Sequence, residues 1–217
     1  MKNIMFIAPP AAGKGTQAEL VVEKYGIPHI STGDILRDIS KEDSEIGKYV
    51  YETLANGELV KDEITYQLIE DRLGKDDCKN GYIIDGFPRN IDQAYEYDKI
   101  LAKLGYEVGN VIYINIDKKV LEKRITGRRI CEDCNTIYNI NDPNNSPEVE
   151  SICDNCGGKL YQRSDDNLEA FETRYSTYEE KTEPIIDHYR KQNVLVEIDG
   201  DDTVENIFAK IDKIINQ

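Results

Sequence analysis

The chain has 217 residues, 39% hydrophobic and 32% charged, with a formal net charge of -15 and a pI near 4.6. That length suits one domain of ordinary size with room for small insertions. So acidic a balance argues against general nucleic-acid binding, which needs broad basic faces against phosphate backbones. The arginines run against the trend. Seven of the nine (Arg37, Arg89, Arg124, Arg128, Arg129, Arg163 and Arg174) fall in or beside recognisable motifs, as in a local anion site on an acidic body.

In chain order, Lys2 and the apolar run Ile4 to Ala8 imitate the start of a secretory signal, but Pro9 and Pro10 end the run too soon. No other segment approaches the ~20 apolar residues of a membrane span. The expectation is a cytoplasmic protein with no membrane partner, its cysteines being thiols or metal ligands and not disulfides. Ile4 to Ala8 itself reads as a strand buried on both faces. A helix follows from about Lys14 to Tyr25, stopped by Gly26. Apolar runs recur at Tyr82 to Ile84, Val111 to Ile116 and Val194 to Ile198, separated by helical patterns. One covers Ile91 to Leu104 and stops at Gly105. The last begins after Thr203, a candidate N-cap, with Val204, Ile207, Phe208 and Ile211 on one face. Alternating strands and helices predict an α/β fold, a parallel sheet flanked by helices. Two stretches break the rhythm: Ser31 to Val60 reads as helices without a strand, and Gly127 to Ser164 is rich in Asn, Asp, Cys and Gly without helical periodicity.

After the first strand comes Ala8-Pro-Pro-Ala-Ala-Gly-Lys-Gly-Thr16. A phosphate-binding P-loop needs backbone N–H groups converging at a helix N-terminus, a lysine for the terminal phosphates and a hydroxyl near magnesium. Gly13, Lys14 and Thr16 satisfy that, although an ordinary strand-to-helix turn can also contain Gly-Lys-Gly. Further on, Ser31-Thr-Gly-Asp-Ile-Leu-Arg37 reads by itself as an N-cap with a surface arginine. Asp85 ends a buried strand at the edge where ligands of open α/β sheets bind; it can hold metal-bound water or cap the turn at Gly86.

The strongest local signal is Cys131-x2-Cys134, eighteen residues, then Cys153-x2-Cys156, the pattern of a tetrahedral thiolate zinc site. Between Cys131 and Cys156 there are six Asp or Glu and no Lys or Arg, which excludes a DNA-reading zinc ribbon. Four protein ligands leave no open position, so such a zinc is structural. Cys78 lies outside the pattern and reads as a buried apolar residue.

The run Gly13-Lys-Gly-Thr-Gln-Ala18, then Ser31-Thr-Gly-Asp34, Asp85-Gly-Phe-Pro-Arg89, Gly127-Arg-Arg-Ile130 and Tyr161-Gln-Arg-Ser-Asp-Asp166 resembles adenylate kinases of the long-lid, zinc-binding type across essentially the whole chain. The resemblance implies magnesium-dependent transfer of a phosphoryl group from ATP to AMP, giving two ADP, by a monomer. It implies a core at 1–30, 61–126 and 165–217, a helical AMP-binding insertion at 31–60 and a zinc-binding lid at 127–164. Implied on the ATP side are Ala11, Ala12, Gly13, Lys14, Gly15, Thr16, Arg124, Arg128, Ile137, Tyr138 and Asp202. On the AMP side stand Thr32, Arg37, the backbone of Glu58, Leu59 and Val60, then Gly86, Phe87, Pro88, Arg89, Gln93, Arg163 and Arg174. Gln93 is expected to read the adenine edge, since its amide both donates and accepts. Lys14, Arg89, Arg124, Arg128, Arg163 and Arg174 match the family's catalytic cations. Asp85 joins them as a holder of metal-bound water, and Asp165 and Asp166 as carboxylates that orient arginines. Arg129 reads as an ion-pair partner.

The family usually carries glycine where Ala8 and Ala11 stand. Both alanines are expected at negative φ, still presenting their N–H groups to phosphate. Two other readings compete: a kinase for another nucleoside monophosphate, which the long lid disfavours, and a nucleotide-binding regulator without catalysis, which Lys14 and the arginines disfavour.

Overall fold

A computed structural model describes residues 2–217. At its centre β1 (Lys2–Ile7) lies between β3 (Gly81–Asp85) and β4 (Asn110–Asn115). Two outer strands, β2 (His29–Ser31) and β8 (Leu195–Asp199), complete a five-stranded parallel sheet in the order β2-β3-β1-β4-β8. The unbroken apolar run of β1 follows from burial on both faces. Ile4 and Phe6 join a core with Ala18, Val21 and Ile211, whereas Met5 and Ile7 join the opposite core with Ile69, Leu101 and Ile185. Each such side chain contributes about 1.5–3 kcal/mol of burial, and a change of register by one residue would exchange the two faces.

Parallel neighbours require crossovers, and helices supply them. The first face carries α1 (Lys14–Tyr25); its C-terminus is closed by Gly26 at φ 65. Thr32–Ile39 (α2) and Glu45–Ala55 (α3) form a small unit around Leu36, Val50 and Val60. Helix α4 (Asp62–Leu73) packs on α5 (Ile91–Leu104), which starts where the Asn90 side chain accepts from the Gln93 N–H and stops at Gly105. Helix α6 (Lys118–Gly127) leads into the cysteine-bearing segment. There β5 (Arg128–Cys131), β6 (Ile137–Asn139) and β7 (Leu160–Tyr161) form an antiparallel sheet over Cys131, Tyr138, Cys153 and Leu160. The chain returns through α7 (Leu168–Thr177), a π-turn at Tyr178–Thr182 and α8 (Glu183–Lys191). It ends on α9 (Val204–Ile215), capped by the Thr203 hydroxyl as its sequence indicates.

The α/β architecture read from the sequence is the one observed. The sequence shows no strand near Ser31, yet the structure has the three-residue β2 there: at the sheet edge, His-Ile-Ser is too short to make an apolar run. Cys78 is buried, with its thiol pushed up to about 11 by burial. Arg129 makes no ion pair among the described residues; its guanidinium donates instead to the carbonyls of Thr126 and Arg128.

Candidate functional site

The carboxyl ends of β1, β2 and β3 open into a cavity of about 1930 Å³. Its floor is the loop between β1 and α1, where Gly13 at φ 83 precedes the helix and turns the chain into it. Ala11 corrects the expectation of negative φ: it sits at φ 63, while Ala8 conforms. The turn demands a left-handed residue there whatever its side chain, and the methyl packs against the core under the loop. Ala11→Gly therefore trades relieved strain for lost packing and a freer unfolded chain, and stability should stay within about 1 kcal/mol of wild type. Ala11→Val puts a β-branched residue at that φ and should cost about 2 kcal/mol, read from urea midpoints.

Lys14 lies at the start of α1, with Nζ 3.3 Å from the carbonyl oxygens of both Ala8 and Pro9 and 3.9 Å from the Asp85 carboxylate. Burial pulls its pKa below the ordinary lysine value; Asp85 opposes this, while Arg89, Arg174 and Arg128 add to it. Asp85 Oδ1 is itself buried without a hydrogen-bond partner. The adjoining Gly86 has φ 80, and a Cβ there would lie 2.5 Å from the Thr32 hydroxyl.

Around Lys14 stand arginines from separate elements. Arg174 of α7 pairs with Asp165 at 2.9 Å, and Arg128 of β5 is clamped by Asp166, its Nε at 2.8 Å. Asp34 bridges Arg37 at 2.7 Å and Arg163 at 3.2 Å. Burial lowers Arg174 to about 10, still a cation at neutral pH. Burial alone would raise Asp165, but Arg174, Arg37, Arg128 and Arg163 outweigh it and hold its pKa low. Arg89 and Arg124 make no ion pair among the described residues. Arg89 Nε donates to the Gly86 carbonyl at 2.7 Å and Arg124 Nη2 to the Gly200 carbonyl at 3.3 Å. Two partly buried guanidinium groups without a carboxylate, in a protein of charge -15, mark a place for a ligand's negative charge.

Of the residues singled out from sequence, Ala11 to Thr16, Arg37, Leu59, Asp85, Gly86, Pro88 and Arg89 line this cavity. So do Arg124, Arg128, Ile137, Tyr138, Arg163, Asp165, Arg174 and Asp202. Thr32, Glu58, Val60, Phe87, Gln93 and Asp166 do not. Thr32 Oγ1 donates to the Asp85 carbonyl at 3.1 Å, Phe87 packs edge-on against Tyr66 and Tyr97, and Val60 sits in the small core of α2 and α3. Glu58 is exposed beside the rim, and Asp166 is buried beneath Arg128. Gln93 is buried, its Oε1 accepting from the Arg89 N–H at 2.7 Å and its Nε2 donating to Asp62 at 2.6 Å. The structure also brings His29, Tyr178 and Thr182 to the cavity wall. No motif marks them: His29 lies on the short edge strand, and the other two lie in the π-turn.

The sulfurs of Cys131, Cys134, Cys153 and Cys156 all lie within 4.8 Å of one another, and three of the pairs approach to 3.3–3.5 Å. Tetrahedral zinc with thiolates at ~2.3 Å sets its sulfurs about 3.8 Å apart, so the cluster is compatible with that ion. Gly158 makes room for it: a Cβ there would come 2.9 Å from the Cys131 sulfur.

Comparison with known proteins agrees with this geometry. Residues 6–194 match the family model described as adenylate kinase. A curated adenylate kinase of Caldanaerobacter subterraneus subsp. tengcongensis is 45% identical over 213 residues, covering 98% of this chain and 96% of that protein. One from Clostridioides difficile is 46% identical over 209 residues, covering 96% of each.

The chain belongs to the adenylate kinase family.

Adenylate kinases bind ATP, AMP and ADP and use magnesium with ATP, and this member is a phosphotransferase. Its reaction is reversible phosphoryl transfer from ATP to AMP, giving two ADP. No described helix is long and apolar enough to cross a membrane.

Proposed function

We propose that this cavity holds both nucleotides, with ATP phosphates on the loop Ala11 to Thr16 and AMP beneath α2 and α3. The observation carrying this reading is the pair of partly buried guanidinium groups without a carboxylate, Arg89 and Arg124, which both line the cavity. On this reading the core comprises 1–30, 61–126 and 165–217, the AMP insertion 31–60 and the lid 127–164. Lys14, Arg124 and Arg128 hold the donor phosphates, while Ile137, Tyr138 and Asp202 border its nucleoside. Arg37, Arg89, Arg163 and Arg174 receive the acceptor phosphate. Thr32, Gly86, Phe87, Pro88, Gln93 and the backbone of residues 58–60 shape its nucleoside pocket.

Phosphoryl transfer asks the protein for position and positive charge more than for a base. Asp165 and Asp166 accordingly serve by orienting Arg174 and Arg128. Magnesium would neutralise phosphate charge when bound, and the residues suited to hold it are the Thr16 hydroxyl and the Asp85 carboxylate, whose Oδ1 has no hydrogen-bond partner. The four thiolates hold a structural zinc that replaces the core a 38-residue segment cannot build. Lid closure over ATP excludes water, the competing acceptor. The chain works as a monomer in the cytoplasm.

Steady-state kinetics test the two-sided assignment. Arg124→Ala should raise KM for ATP more than for AMP, and Arg37→Ala the reverse. With ATP as donor, AMP should turn over at least about a hundredfold faster than CMP, UMP or GMP. A pyrimidine monophosphate matching AMP would overturn the acceptor assignment.

A further inference from the structure

One helical stretch passes the cavity with a break in its hydrogen-bond ladder. The Glu183 N–H donates to the Tyr178 carbonyl, five residues back, so Tyr178–Thr182 forms a π-turn between α7 and α8. The break changes which side chains share a face. In an uninterrupted α-helix, Thr182 would stand about 80° around the axis from Arg174, eight residues earlier. A π-turn absorbs one extra residue, so the spacing acts as seven and brings Thr182 within about 20° of Arg174. Both line the cavity.

The Thr182 hydroxyl is also used differently from several threonines inside helices. Thr53, Thr126, Thr173 and Thr177 each donate to the carbonyl four residues back in their own helix. Thr182 Oγ1 donates across 93 residues of sequence to the Arg89 carbonyl, at 2.8 Å. Arg89 is thereby held along its whole main chain. Its N–H donates to Gln93 Oε1 at 2.7 Å, its carbonyl accepts from Thr182, and its own Nε donates to the Gly86 carbonyl at 2.7 Å. What remains free is the guanidinium fork, Nη1 and Nη2, the part suited to a phosphate.

We propose that Thr182 is a positioning residue for phosphoryl transfer: the π-turn aims its hydroxyl at the Arg89 carbonyl, fixing the Arg89 loop to the helix that carries Arg174. The two guanidinium groups then keep a set spacing although they come from segments 85 residues apart. This rests on the assignment of Arg89 to the acceptor phosphate.

The test is a double-mutant cycle with a conservative rescue. Thr182→Val keeps the shape and removes the donor. It should lower kcat/KM for AMP about tenfold, the worth of one well-aligned hydrogen bond, with KM for ATP unchanged. Thr182→Ser should restore most of the loss. In an Arg89→Ala background, Thr182→Val should cost less than about twofold, because the residue it positions is gone. Thermal unfolding is followed in parallel; should the valine variant prove unstable, Thr182→Ala takes its place in the cycle. Wild-type kcat/KM in Thr182→Val, a serine variant as impaired as the valine one, or the same tenfold loss without Arg89 would overturn the proposal. Wild-type kinetics in Arg89→Ala would overturn the acceptor assignment itself. An impaired Arg89→Ala beside an unimpaired Thr182→Val removes only the role of Thr182.

Discussion

Replacing Lys14 by Met should lower kcat by on the order of a thousandfold while leaving the fold intact. The side chain holds its place by two 3.3 Å contacts to the carbonyls of Ala8 and Pro9, which keep an ammonium group against the loop proposed to bind the ATP phosphates. A charge fixed there before the reaction begins stabilises the developing charge without reorganisation. Holding it has a price in stability. Burial lowers the pKa of Lys14 against its unfolded value, so below the folded pKa the unfolded chain binds the proton more tightly. The penalty is therefore present at neutral pH and fades only as pH rises past the lowered folded pKa towards the unfolded one. Met removes it, and the thermal midpoint of Lys14→Met should equal or exceed that of the wild type. A variant that loses stability and activity together would show Lys14 to be a structural cation.

Stripping the cysteine cluster of metal should have the second large effect. The segment from β5 to β7 is held by two- to four-residue strands and a core of Cys131, Tyr138, Cys153 and Leu160, too little to fold alone. Structural zinc contributes on the order of 10 kcal/mol in small metal-dependent folds. Chelation, or Cys131→Ser, should therefore abolish order in the segment that carries Arg128, Ile137, Tyr138 and Arg163. Turnover should fall at least about a hundredfold, with hydrolysis of ATP appearing as water gains access. The parallel sheet retains its own two cores, so loss of structure should remain local and show first in proteolysis of residues 132–160. Cys78→Ala, which alters a thiol outside the cluster, should keep one zinc per chain. Full activity and stability in a metal-free, thiol-reduced sample would remove zinc from the mechanism.

How legible each feature is in the sequence depends on how locally it is encoded. The boundaries of α1, α5 and α9 carry their own punctuation at Gly26, Asn90, Gly105 and Thr203, and β1 announces double-sided burial by its unbroken apolar run. The cysteine cluster is legible because ligand spacing is itself a local constraint. The strand β2 is not, since three residues paired only to β3 depend on the neighbour and not on their own pattern. The π-turn escapes for a related reason: a single residue added to a helix shifts the phase of the later turns without altering the composition. At Ala11 the side chain points the wrong way, because alanine argues for negative φ while the turn between β1 and α1 imposes φ 63. Gln93 marks the limit of a resemblance. Its amide is expected to face adenine, whereas in the structure it is committed to Asp62 and to the Arg89 main chain. Reading a base there requires one of those bonds to open or the amide's remaining N–H to be exposed.

Direct transfer between two nucleotides in one cavity is tested most directly by tracing the γ-phosphoryl group. ATP labelled there and mixed with AMP should place the label in the β position of ADP formed from AMP, with no labelled inorganic phosphate. Label released as inorganic phosphate, or retained in ATP while both nucleotides bind, would contradict it.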